Sequence, residues 1–237
     1  MSLKGEISVD SLTMQNLSRA TMEYLMQNLS AGMSLVEVRS LCERFMLENG
    51  ADSFWYYDVG AFVFSGEETT ISIYGKDYTT ADRRIHENDL LTVDLSPQCQ
   101  RIWGDYARTL VIEAGKVVVH PEEIRHPEWK RGLRMEDHLH HVLTETATEA
   151  MTFEELYFVM NEEITKQGFV NLDYLGNLGH SIVQDKQDRI YIEKGNGMKL
   201  SDVKMFTFEP HLCLPGSLYG FKQEDIYYFE KGKLKRL

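Results

Sequence analysis

Apolar residues recur along this chain first at helical and then at strand-like spacing, and the same succession occurs twice. Ser11 to about Asn28 reads as an amphipathic helix. Met33-Ser34-Leu35-Val36-Glu37-Val38 opens a second helix that closes at Asn49-Gly50. Pro127 to about Ala147 reads as a long third helix, with Leu133, Leu139, Val142 and Leu143 on its apolar side. Met151-Thr152-Phe153-Glu154-Glu155-Leu156 opens a fourth that closes at Gln167-Gly168. The second and fourth helices carry the same start and stop signals. Each has a Ser or Thr cap (Ser34, Thr152), a Glu three residues on (Glu37, Glu155) and a Gly at the C-terminal stop. Strand-like runs follow each helix: Ser53 to Phe64, Leu90 to Leu95, and Met205 to Pro210.

The two β-rich blocks align residue by residue. LLTVDL matches MFTFEP, pairing Thr92 with Thr207 and Asp94 with Glu209, and Asp105 in WGDYARTLV then parallels Glu224 in FKQEDIYYF. Several matches in one order indicate an internal duplication. Helix pairs on antiparallel sheet imply an α+β domain with a pseudo-two-fold axis, and a site built from both halves would lie between them.

Composition narrows the function classes. The chain has 237 residues, 43% hydrophobic, enough for a substantial core. Its net charge of −12 with scattered basic residues argues against nucleic acid or an anionic membrane as partner. No apolar run is long enough to span a bilayer, and MSLKGEISVD lacks the apolar stretch of a secretory signal, so a cytoplasmic location is expected. Cys42, Cys99 and Cys213 are odd in number and far apart, which suits neither a disulfide framework nor a cysteine zinc site.

The candidate chemistry lies in five residues of metal-ligand type on four strand-like segments: Asp94, Asp105, His180, Glu209 and Glu224. Four carboxylates and one imidazole suit a pair of divalent first-row ions better than a structural zinc, which prefers Cys and His. Carboxylates converging among apolar strands would repel one another without a cation to neutralise them. On chemistry alone Asp225 is as good a ligand as Glu224, although strand alternation turns only one of the two toward the site. His138, His140 and His141 gather near Glu136 and Asp137, an arrangement better read as a solvated helix face than as a second metal site.

These segments resemble the pita-bread metallopeptidases: methionine aminopeptidase, Xaa-Pro aminopeptidase, prolidase and creatinase. VDL followed ten residues later by Asp105 and ARTLV resembles the family's two-aspartate hairpin, GHSI its G-H-G-I segment, FTFEP its F-T-I-E-P segment, and PGSLYGFKQED its closing stretch. The resemblance spans nearly the whole chain. It implies one pita-bread domain over 1–237, without the separate N-terminal domain of prolidase and creatinase. Ser65-Gly66 and PGSLYG are more similar to the Xaa-Pro branch. It further implies that Asp94 chelates one ion, that Asp105 and Glu224 bridge two, and that His180 and Glu209 complete the second. The cofactors would be Mn, Co, Fe or Zn, and Glu209 would act as general base toward a water attacking a C–N bond.

The chain departs from that family at two substrate-contacting histidines. SGEETTISIYGKDY holds Tyr74 near the place of one, and Gln187 stands seven residues beyond His180 in place of the other. Glutamine donates a hydrogen bond but carries no positive charge. Tyr74, Gln187 and His211 are therefore the candidate substrate contacts. Trp55, Tyr56 and Tyr57 read as core residues able to wall a pocket. An aminopeptidase or Xaa-Pro peptidase acting on a small peptide is the leading expectation. The alternatives are a creatinase-like enzyme for another small C–N substrate, or a non-catalytic scaffold that keeps the fold. A homodimer is allowed, since the sequence sets no oligomeric state.

Overall fold

The computed structural model describes residues 10–173 and 175–237. Among these described residues four α-helices form: α1 Ser11–Asn28, α2 Leu35–Glu48, α3 Pro127–Thr146 and α4 Phe153–Lys166. Both anticipated capping boxes are present. The Ser34 hydroxyl accepts from the Glu37 amide at the start of α2, and Thr152 from Glu155 at the start of α4, each glutamate reaching back to its cap.

The strands are short: β1 Ser53–Phe54, β2 Ala61–Ser65, β3 Asp89–Leu95, β4 Pro97–Cys99, β5 Ile102–Trp103, β6 Tyr106–Glu113, β7 Lys116–Val117, β8 Val170–Asn171, β9 Phe206–Phe208, β10 His211–Cys213, β11 Gly220–Lys222, β12 Asp225–Glu230 and β13 Lys233–Arg236. They assemble as an antiparallel sheet β2-β3-β6-β7 in the first half and β9-β12-β13 in the second, with the smaller sheets β1-β4-β5 and β8-β10-β11 beside them. The single strand expected from Ser53 to Phe64 is instead two strands. Tyr57 and Asp58 adopt left-handed φ of 55° and 58°, which breaks the extended run and lifts three aromatic residues out of the sheet.

Each half has its own apolar core. Leu91, Val93 and Leu95 of β3 pack with Leu25, Leu35, Val38 and Met46 of α1 and α2. Phe206 and Phe208 of β9 pack with Leu139 and Leu143 of α3 and Phe153, Leu156 and Met160 of α4. Alternation along β3 turns Thr92 and Asp94 to the other face, toward the second half. The halves meet where the Glu224 amide donates to the Ala107 carbonyl at 3.0 Å and Arg108 Nη2 donates to both carboxylate oxygens of Asp225 at 2.9 and 3.0 Å. Asp105 precedes β6 just as Glu224 precedes β12, so the duplication sets two acids at one seam. Among the described residues, no helix is long and apolar enough to cross a membrane.

Candidate metal centre

A cavity of about 620 Å³ opens above that seam, within the usual size for a small-molecule site. Asp94, Asp105, His180 and Glu209 line its floor, and Trp55, Tyr56, Tyr57, Phe62 and Tyr191 its walls. The turn that interrupts the Ser53 to Phe64 run is thus what delivers aromatic residues to the cavity rather than to the core.

At the floor, ligand atoms of Asp105, His180 and Glu224 all lie within 4.8 Å of one another, and all three residues are buried. Asp105 Oδ2 and both carboxylate oxygens of Glu224 are buried without a hydrogen-bond partner among the described residues. Buried anionic oxygens without donors are costly. Burial first, then neighbouring carboxylates, raise both acids well above the ordinary carboxylate range. His180 completes the set in a defined tautomer. Its Nδ1 lies 3.2 Å from the Ser181 carbonyl, which only accepts, so Nδ1 carries the proton. Nε2 is then a free lone pair, 3.6 Å from Asp105 Oδ2 and 3.7 Å from Glu209 Oε1. Burial lowers the His180 pKa to about 3, keeping the ring neutral. Oxygen-rich donors, one imidazole and orphaned anions fit a divalent ion.

The positions of Asp105 and His180 are enforced by residues around them. The buried Gln15 side chain of α1 clamps Asp105 through both backbone groups, at 2.8 and 3.0 Å. The Gly179 backbone (φ 138°) runs against the Thr207 carbonyl, where a Cβ would collide. His180 N donates to Thr207 Oγ1 at 3.0 Å. Trp103 stacks on Trp55 at 4.2 Å and donates from Nε1 to the Val183 carbonyl, closing the wall beside His180.

Asp94 and Glu209 are brought to the same floor but hold a different partner. Lys222 Nζ lies 2.6 Å from Asp94 Oδ2 and 3.1 Å from Glu209 Oε2. Burial works against the charged form of Lys222, yet Asp94, Glu209 and Glu224 outweigh it and hold the ammonium well above the ordinary lysine value. Sequence reading missed this residue. Its signal is strand alternation, because Lys222 lies two positions before Glu224 and shares its side. Asp225, the alternative to Glu224, points away into Arg108.

The candidate substrate contacts divide. Tyr74 lies exposed at the cavity rim. His211 also lines the cavity, but its Nε2–H is committed to the Thr69 carbonyl at 2.7 Å, and burial lowers its pKa to about 4. Gln187 does not reach the cavity. It sits exposed in a short turn over Lys186–Asp188, because the hairpin after His180 carries Arg189 and Tyr191 inward instead. The helix face at His138 to His141 is also only partly solvated. His140 and Glu136 are buried, and His138 pairs with Glu163 at 2.7 Å.

The sequence profile of metallopeptidase family M24 matches residues 13–231. The chain belongs to that family. It is 26% identical over 208 residues to methionine aminopeptidase of Helicobacter pylori, covering 83% of this chain and 76% of that protein. It is 24% identical over 234 residues to Xaa-Pro dipeptidase of Pyrococcus furiosus, covering 99% of this chain and 62% of the relative. Among solved structures, X-Pro aminopeptidase of Thermotoga maritima superposes with a TM-score of 0.78 at 20% identity, over 99% of this chain and 61% of that one. Prolidase of Pyrococcus furiosus gives 0.74 at 22% identity, over 100% and 64%. This family member thus spans less than two thirds of those longer chains and has the pita-bread fold they share.

Proposed function

We propose that this chain is a metal-dependent peptidase that hydrolyses an amide bond of short peptides, including the Xaa-Pro class named for several of its relatives. The observation that carries the reading is the buried trio Asp105, His180 and Glu224 with its orphaned oxygens at the cavity floor. These three residues would hold one ion. Glu209, 3.7 Å from His180 Nε2, would complete that ion's ligands, and Asp94 with Asp105 and Glu224 would hold a second, in competition with Lys222 for the Asp94 oxygen. Bound ions would supply Lewis acidity and lower the pKa of a nucleophilic water.

The remaining roles belong to side chains. Glu209 faces the cavity and accepts the proton of the attacking water. Trp55, Trp103 and Tyr191 pack around His180 and keep bulk water from that side of the floor. Lys222 stays close enough to balance negative charge that grows at the reacting carbon's oxygen. A second reading, a non-peptide C–N substrate, draws on the imidazoles that line the cavity. His180 and His211 are both buried, with pKa values lowered to about 3 and about 4, so neither is a protonated donor for a peptide carbonyl.

The test is metal analysis of purified protein, followed by activity after Mn, Co, Fe or Zn loading on a panel of dipeptides and Xaa-Pro peptides. Cleavage that disappears in Glu209→Gln while metal content is retained supports the peptidase reading. A protein that takes up no divalent ion at near-neutral pH would sink it. Metal uptake with no peptide cleavage favours the second reading.

A further inference from the structure

The mouth of the cavity carries an extended stretch of chain that pairs with no strand among the described residues. Ile71, Ser72, Ile73 and Tyr74 run between two short 3₁₀ turns, Gly66–Thr70 and Gly75–Asp77, and all four line the cavity. The backbone is extended at both ends, with φ −81° and ψ 128° at Ile71 and φ −69° and ψ 139° at Tyr74. Six consecutive main-chain groups, from the Ile71 carbonyl to the Tyr74 amide, have no hydrogen-bond partner among the described residues. The groups on either side are taken. The Ile71 amide donates to the Glu68 carbonyl at 3.0 Å, and the Asp77 amide to the Tyr74 carbonyl at 2.9 Å.

The stretch is fixed where it begins and where it ends. The Thr69 carbonyl accepts from His211 Nε2 at 2.7 Å and Thr69 Oγ1 from the Gly220 amide at 2.8 Å, which ties the start to the second half. At the far end Gly75 presses on two rings, where an added Cβ would stand 2.8 Å from ring carbons of both Tyr56 and Tyr57. Ile71, Ile73 and Tyr74 are nevertheless 40% to 58% exposed. Exposed Tyr57 and Leu175 line the same cavity, so large apolar side chains gather at this one mouth. Such a cluster marks a binding surface. Water solvates free main-chain groups but not the isoleucines beside them, whereas an extended peptide satisfies both.

We infer that residues 71–74 bind an extended peptide by strand addition, taking the part of the ligand that runs outward from the cavity floor. Successive residues of a strand turn their N–H and C=O to opposite edges. Either edge here offers three free groups: the Ile71 carbonyl with both groups of Ile73, or both groups of Ser72 with the Tyr74 amide. The ligand is therefore a peptide of roughly four residues or more, with apolar side chains at alternate positions. A dipeptide has too few main-chain groups to pair with the edge. Strand addition rests on the peptidase reading for which bond is cut, though not for the binding of the chain.

The test compares the hexapeptide Ala-Ala-Val-Thr-Val-Thr with the dipeptide Ala-Ala, each with its first peptide bond reduced to a methylene-amine that is not hydrolysed. Calorimetry on manganese-supplied protein should show the hexapeptide binding about ten- to a hundredfold tighter, as for about three added hydrogen bonds. A single N-methyl group moved along the last four residues of the hexapeptide should weaken binding at alternate positions only. Ser72→Pro and Ile73→Pro each delete one main-chain donor. One of them should weaken the hexapeptide by roughly two- to tenfold while the other leaves it unchanged, and neither should alter dipeptide binding. Thermal melts establish that the variants fold, and the N-methyl series decides the matter without them. Equal affinity for the two lengths, or an N-methyl effect that does not alternate, overturns the assignment. Hydrolysis of the unmodified peptides is read separately. Alternating, length-dependent binding without cleavage upholds strand addition and defeats the peptidase reading, and cleavage with equal KM for both lengths does the reverse.

Discussion

Lys222 and Asp94 form an ion pair of 2.6 Å within the candidate metal centre, and the same ammonium reaches Glu209 at 3.1 Å. An ammonium has donors but no lone pair, so Lys222 competes with a divalent ion for these oxygens rather than helping to hold it. Opposite charges a few ångströms apart in a partly enclosed site interact by several kcal/mol at most. Lys222→Met is therefore expected to tighten binding of a second manganese ion by about tenfold or more. Titration calorimetry with metal analysis reads both stoichiometry and affinity. Weaker or unchanged uptake by the variant would mean that Lys222 supports metal binding.

Arg108 holds the seam from the other side. Its Nη2 donates to both oxygens of Asp225 at 2.9 and 3.0 Å, and Nη1 donates to the Glu224 carbonyl at 2.8 Å. Asp225 is fully buried, so removing its carboxylate leaves Arg108 Nη2 without the anion it is hydrogen-bonded to. Asp225→Ala is expected to destabilise by about 3–5 kcal/mol, as for a broken buried pair. Urea unfolding of metal-free protein measures this directly, and a loss below about 1 kcal/mol would show that Arg236, 3.5 Å from Asp225, does not need the acid either.

Gly179 sets the approach of the His180 segment to β9. Its φ of 138° is strained for any residue with a side chain, and an added Cβ would meet the Thr207 carbonyl. Gly179→Ala is expected to cost about 1–3 kcal/mol of stability from backbone strain alone, and more from the collision. Because His180 N donates to Thr207 Oγ1, the shift also moves the imidazole. Manganese affinity should fall together with stability. A variant with wild-type affinity would show that His180 is placed independently of Gly179.

The local and periodic features of this fold were legible in the sequence, and the long-range ones were not. Ser34 with Glu37 and Thr152 with Glu155 mark helix starts because capping boxes are made by residues three apart. The parallel of Asp94 with Glu209 and Asp105 with Glu224 came from duplication, which alignment of the two halves exposes. Lys222 opposite Asp94 and Gln15 clamping Asp105 join residues far apart in sequence, and only the folded sheet brings them together. The break at Tyr57 and Asp58 was hidden because aromatic and apolar residues continue through it. Gln187 was assigned by counting from His180, whereas the hairpin turns Arg189 inward.

His140 provides a pH-dependent test of the second core. Its Nε2 lies 3.2 Å from the Gln223 carbonyl and therefore carries the proton, while Nδ1 accepts from the Tyr227 hydroxyl at 2.7 Å. Burial lowers its pKa from 6.5 to about 3, with nearby Asp225 opposing the shift. Between those values the unfolded chain takes up a proton that the folded chain refuses. The contribution is therefore complete above about pH 6.5 and is lost as pH falls toward 3, by at most about 1.4 kcal/mol per pH unit. Asp105, Glu136 and Glu224 have raised values and act in the opposite sense, so the informative quantity is a difference. The stability of wild type minus that of His140→Gln should shrink by up to that slope between pH 6 and pH 4, measured by urea unfolding at fixed ionic strength. A difference that does not change with pH would mean that His140 takes up protons equally in the folded and unfolded chain.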